Sequence, residues 1–170
     1  MDWTALAAYS DEKLGNACFA PLIEAYKEAQ RRGESFEALF GNWSKGKQAL
    51  FVFLTFDKHA VVDDAEYYWR TAYSMAQPPR WNGLLKALRF FGDEETASVL
   101  VETERVLDAR QYPRSLERFE VSLQDLERDA DLHAEIRPLY LRYCSASRTV
   151  IKKSADYIRL HPEEFIPSTS

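Results

Sequence analysis

A chain of 170 residues with 46% hydrophobic and 14% aromatic side chains is long enough to pack one domain and too apolar to stay disordered. Its net charge of −5 at pH 7 argues against a strongly basic nucleic-acid binder. The two cysteines, Cys18 and Cys144, stand far apart, which argues against a disulfide-framed secreted domain and predicts buried free thiols.

The first residues, MDWTALAAYSDEK, lack a basic stretch followed by a long apolar one, so no signal peptide is expected. The longest near-apolar run, Ala49 to Phe56, is far short of the roughly 20 residues that a membrane span needs. These features predict a soluble cytoplasmic protein.

In chain order, Trp3 to Tyr9 predicts a short helix. Ser10 caps a longer one from Asp11, with Leu14, Cys18, Leu22 and Ala25 as its apolar face. Pro21 should kink or restart that helix, and Gly33 should end it. Ser35 caps a helix over Phe36 to Phe40, and Gly41 to Gly46 is a turn. Lys47 to Lys58 predicts a central, largely buried helix, with a strand as the alternative because its β-propensity is high. Asp63 or Asp64 caps the next helix, to about Ala76, where Gln77-Pro78-Pro79 breaks it.

Trp81 to Asp108 then reads as a helical hairpin. Leu84, Leu85, Leu88 and Phe91 make one apolar face, and Ala97, Leu100, Val101 and Leu107 make the next. Gly92 supplies the positive φ that ends the first helix, and Asp93 caps the second. The chain loosens from Ala109 to Arg114. Leu116, Phe119, Leu123, Leu126 and Ala130 recur at threes and fours, which predicts a helix over residues 115–131 with a core-facing stripe. Pro138 falls in the first turn of a last long helix that ends near Leu160. The expected fold is a single all-α domain over 1–170, with about five to eight helices and a frayed tail at 166–170.

Charge is polarised along the chain. Residues 93–135 hold 13 acids and 5 bases, a net of −8, and residues 136–161 hold 6 bases and 1 acid, a net of +5. The simplest expectation is that the two segments partly pair. On a helix over 115–131, Glu117, Glu120, Glu127 and Asp131 would fall within about 80° of arc, with successive rises of roughly 4 to 11 Å that bracket phosphate spacing along a nucleic-acid strand. Glu95 and Glu102, two turns apart, would add a second row.

Other patterns are weaker. Gly41 to Gln48, GNWSKGKQ, matches a phosphate-binding loop until Gln48 stands where Ser or Thr should hold magnesium, and the FEALF before it looks helical. Asp57, His59, Asp63, Asp64 and Glu66 are close enough in sequence to suggest a metal, yet helix caps collect aspartates for their own reasons. Tyr67, Tyr68, Trp69 and Tyr73 have ordinary core spacing. Arg142, Arg148, Lys152, Lys153 and Arg159 form a basic set in a chain that is acidic as a whole. No nucleophile elbow is present, and the residues indicate no catalytic site, cofactor or metal.

Two segments, GLLKALRFFGDEETASVLVETERVL and ADYIRLHPEEF (Ala155 to Phe165), resemble a bacterial family of helical proteins that includes a DNA-mimic protein. The family's glycine-pair-plus-Phe segment is absent; QALFVFLTFDKH stands in its place. The resemblance implies an all-α domain, often dimeric, that presents acidic side chains to a DNA-binding protein.

The expectation for function is a non-enzymatic protein that binds a basic partner, a DNA-binding regulator or a nuclease-like toxin, through Glu95, Glu102, Glu117, Glu120, Glu127 and Asp131. The rivals are a metal-dependent enzyme built on Asp57, His59, Asp63 and Glu66, and a homodimeric scaffold using exposed Trp3 or Trp43.

Overall fold

The computed structural model describes residues 2–166. Ten α-helices form among them, more than the five to eight expected, because four of the ten are single-turn or little longer: α1 (Trp3–Ala7), α3 (Phe36–Gly41), α8 (Asp125–Arg128) and α10 (Pro162–Phe165). The others are α2 (Asp11–Arg31), α4 (Lys45–Ala60), α5 (Asp64–Met75), α6 (Pro78–Phe90), α7 (Glu94–Ala109) and α9 (Ala130–Leu160). No strand occurs among the described residues. The tail expected over 166–170 lies, beyond Ile166, outside them.

The caps set the boundaries. Ser10, Ser35, Ser44, Asp63 and Asp93 each accept from a backbone amide three residues on, which satisfies one of the donors that a helix start leaves free. The prolines of Gln77-Pro78-Pro79 open α6 rather than merely closing α5, since a proline in the first turn gives up no hydrogen bond.

Helix α4 is the centre. It packs on α2, α5, α6 and α9, and Ala49, Leu50, Phe51, Phe53, Leu54, Phe56 and Ala60 are all buried. A helix apolar on nearly every side must be enclosed, which resolves the helix-or-strand ambiguity of this segment. Helix α9 crosses α2, α4, α5 and α7. Its 31 residues extend about 46 Å at 1.5 Å per residue.

Both interior prolines correct the sequence reading. Helix α2 runs through Pro21, and Pro138 lies in the interior of α9 rather than in its first turn. Each proline sits on an exposed side.

The hairpin α6–α7 turns on Gly92, at φ +74°, and the Asp93 amide closes the turn onto the Leu88 carbonyl. Gly92→Ala is expected to lower stability by about 1–2 kcal/mol. Gly83→Ala, inside α6 with nothing within 4 Å of the added carbon, is expected to raise it by about 0.5–1 kcal/mol. Urea denaturation of the two variants checks the opposite signs.

Candidate functional site

The segment that carries the predicted carboxylates is not one helix. A 3-10 turn spans Leu116–Arg118, extended and turn backbone follows, α8 covers Asp125–Arg128, and α9 begins at Ala130. Side chains from α5 impose this path. Trp69 Nε1 donates to the Val121 carbonyl at 3.1 Å, and the Ser122 amide donates to Asp125 Oδ2 at 2.9 Å. Both backbone groups would be needed inside a continuous helix. Of the expected core stripe only Leu126 is buried; Phe119 is half-buried, and Leu116, Leu123 and Ala130 are exposed.

Three further contacts pin the segment. Tyr68 donates to Asp125 Oδ2 at 2.7 Å. That spends its one proton, so its 2.7 Å contact with the Tyr112 hydroxyl is made as an acceptor. Phe119 lies edge-on against the stacked Trp69–Tyr73 pair, at 5.8 and 5.7 Å. The aromatic run on α5 is therefore core and loop anchor: Tyr67 and Tyr68 are buried, and Trp69 and Tyr73 are half-buried. Tyr68 and Trp69 are the functional positions that periodicity missed. Their one sequence signal is that a buried Tyr or Trp must find a polar partner.

The six predicted carboxylates separate into two kinds. Glu102 on α7 is half-buried and clamped by Arg142, with Nη1 2.6 Å from Oε2 and Nη2 3.0 Å from Oε1. The hydrogen bonds from Arg142 hold its carboxyl below the usual range. Glu95 on α7, Glu117 in the 3-10 turn, Glu120 in the extended stretch, Glu127 on α8 and Asp131 on α9 are all exposed. None of these five has an ion pair among the described residues; Arg118 and Arg128, beside Glu117 and Glu127 in sequence, are exposed and make none either, and two further arginines serve other acids. Arg110 takes Asp129 and Glu135, and Arg114 takes Glu104 and Asp108. Residues 115–131 hold six acids and two bases, Arg118 and Arg128, a net of −4.

The basic segment is mostly engaged within the fold. Arg142 holds Glu102, Lys152 holds Asp156, Lys153 donates to the Gly92 carbonyl, and Arg159 bridges Asp11 and the Tyr9 carbonyl. Of that set only Arg148 has no ion pair among the described residues. The Glu102–Arg142 and Asp93–Lys153 contacts join the acidic and basic segments at two points.

The five residues of the metal candidate do not converge on one point, and only His59 and Glu66 share a partner, Arg70. Asp57 is buried and accepts from Tyr143 at 2.8 Å. His59 Nδ1 faces Arg70 at 3.3 Å, Glu66 lies 3.5 Å from Arg70, Asp63 caps α5, and Asp64 binds His133 and Arg137. No group of three or more metal-ligating side chains forms among the described residues. The two tryptophans offered for dimerisation are half-buried. Trp43 packs on Phe36, Phe40 and Phe51, and Trp3 packs on the core. Cys18 is buried, which pushes its thiol up to about 11, while Cys144 is half-buried rather than buried.

Comparison of the chain with protein-family models, curated proteins and solved structures finds no match. The two resembling segments lie on the α6–α7 hairpin and on the end of α9 with α10.

Burial raises the Asp57 carboxyl above its ordinary range, against hydrogen bonds from Tyr143 and Ser147 and the charge of Lys58. The folded chain thus holds this proton more tightly than the unfolded chain. The group's contribution to stability is full below the ordinary carboxylate pKa and is lost as pH rises through the raised value. Asp57→Asn, which cannot ionise, should therefore gain stability relative to the parent as pH rises from below about 4 to neutral. Denaturation of both chains across that range measures it, and a pH-independent difference would refute it. Tyr68→Phe should cost about 1–3 kcal/mol by leaving the Tyr112 hydroxyl unpartnered, and should speed hydrogen exchange at the Ser122 amide.

Proposed function

We propose that this chain is a non-enzymatic, cytoplasmic protein that binds a basic partner through the pinned acidic segment between α7 and α9. The partner is a DNA-binding regulator or a nuclease-like toxin. The observation that carries the reading is the balance of charge: Glu95, Glu117, Glu120, Glu127 and Asp131 are exposed and make no ion pair among the described residues, Arg110, Arg114 and Arg142 are engaged by other acids, and residues 115–131 keep a net charge of −4. Free carboxylates on a fixed backbone occupy the Lys and Arg side chains that otherwise contact phosphate. Because residues 115–131 are not one helix, the mimicry rests on a folded loop and two helix starts, not on a regular row at helical spacing. Glu102 contributes little, since Arg142 already neutralises it. The likeness of the α6–α7 hairpin and the α9 end to the DNA-mimic family supports the same reading.

Affinity capture from a lysate at low salt tests it. A basic DNA-binding protein should elute in a salt gradient, and it should be lost with Glu120→Lys plus Glu127→Lys, or weakened by Glu117→Lys. Partners indifferent to both salt and these changes would sink the proposal.

A further inference from the structure

The GNWSKGKQ motif at the head of α4 holds an anionic group, and the group belongs to the chain itself. Glu164 Oε2 accepts from the Gly46 amide at 3.0 Å, and Tyr157 donates to Oε1. Burial alone would raise the Glu164 pKa; the bonds from Tyr157 and Gly46, with the charge of His161, hold it below the usual range. Gln48, the residue that departs from a phosphate loop, donates instead to the Phe40 and Trp43 carbonyls and fixes the turn behind the seat.

Beside the carboxylate, Phe165 is buried and stands edge-on to Tyr157. Gly46 has no room for a side chain: a Cβ there would lie 2.5 Å from Tyr157 Cε1, 2.6 Å from Glu164 Oε2 and 3.1 Å from Phe165 Cζ. The notch is thus shaped for two adjacent side chains, one acidic and one aromatic. Its charge preference comes from helix amides, and its aromatic wall comes from α9.

The occupant is weakly attached to the rest of the fold. Helix α10 has four residues, too few to be stable alone. It packs on α9 and α4, and Leu160, at its junction with α9, is 76% exposed. Its own anchorage is the Glu164 carboxylate and the Phe165 ring, with His161 against Tyr157 before it and Ile166 on the core after it.

We propose that this notch is a peptide-recognition site for a segment carrying an acidic residue followed by an aromatic one. Glu164–Phe165 fills it in cis, α10 is an exchangeable strap, and a partner segment of the same chemistry takes its place. The site is separate from the acidic surface and does not depend on it.

A synthetic peptide spanning residues 160–166 is the probe, and the chemical shift of the Gly46 amide in the full chain is the readout. The Glu164→Gln, Phe165→Ala chain has an intact notch and a disarmed strap. It should bind the peptide saturably, while the parent chain, whose own strap competes at high effective concentration, should bind about tenfold or more weakly. A peptide carrying Glu→Gln at the position of Glu164 should lose binding to a similar degree. If the double variant does not fold, Glu164→Gln alone serves, because it keeps the ring. No shift of Gly46 in the disarmed chain, equal binding by the parent, or equal binding of the Gln peptide would each overturn the proposal.

Discussion

The described structure has one long departure from helix, residues 110–124 with their 3-10 turn, and it depends on two neighbouring side chains of α5. Trp69 takes a carbonyl and Tyr68 takes a carboxylate from that stretch, and Phe119 closes over the stacked ring pair. The bonds are made where water is largely excluded, so leaving them unmade costs more than their net worth suggests. The result is a loop fixed by side chains rather than by its own backbone ladder. Within it Glu117, Arg118 and Glu120 make none of these anchoring contacts and are exposed, while Arg110 and Arg114 pair with acids of the neighbouring helices.

The same economy governs the electrostatics. An ion pair on an exposed surface contributes little stability, so the clamps at Glu102–Arg142, Arg110 and Arg114 matter more for what they remove from the surface than for holding the fold. They engage Arg142, Arg110 and Arg114 with other acids, so within residues 115–131 only Arg118 and Arg128 offset six carboxylates. The remaining carboxylates carry their charge into solvent, where it steers a partner of opposite sign. Glu164 follows a different logic: it is half-buried, bonded by the Gly46 amide and the Tyr157 hydroxyl, and serves the chain's own packing.

Much of the fold was legible in residue order. Ser10, Ser35, Asp63, Asp93 and Gly92 announced helix ends through local chemistry, and the apolar run of α4 announced a buried helix with a strand as the alternative; the Ser44 cap, inside a segment read as a turn, went unread. The reading failed where distant groups competed for the backbone. Leu116 to Ala130 has faultless helical spacing, yet the Val121 carbonyl is claimed by Trp69, 52 positions away, and no local pattern carries that. Pro21 lies inside a continuous α2, and Pro138 misled because α9 starts at Ala130, on the Asp129 cap, rather than at the proline. At the candidate site, the identity of acidic positions was plain, but which ones stay free was not. Arg142 reaches Glu102 across 40 positions and Arg110 reaches Glu135 across 25, so the fold makes that selection.

The measurement that tests the account most directly is the salt dependence of affinity for a captured basic partner, taken on the parent chain and on Tyr68→Phe. The loosened chain retains every carboxylate. The account predicts steep weakening with salt in both, with the loosened chain binding less tightly at each salt concentration because it must order the loop on binding. Affinity independent of salt, or undiminished when the loop is released, would contradict it.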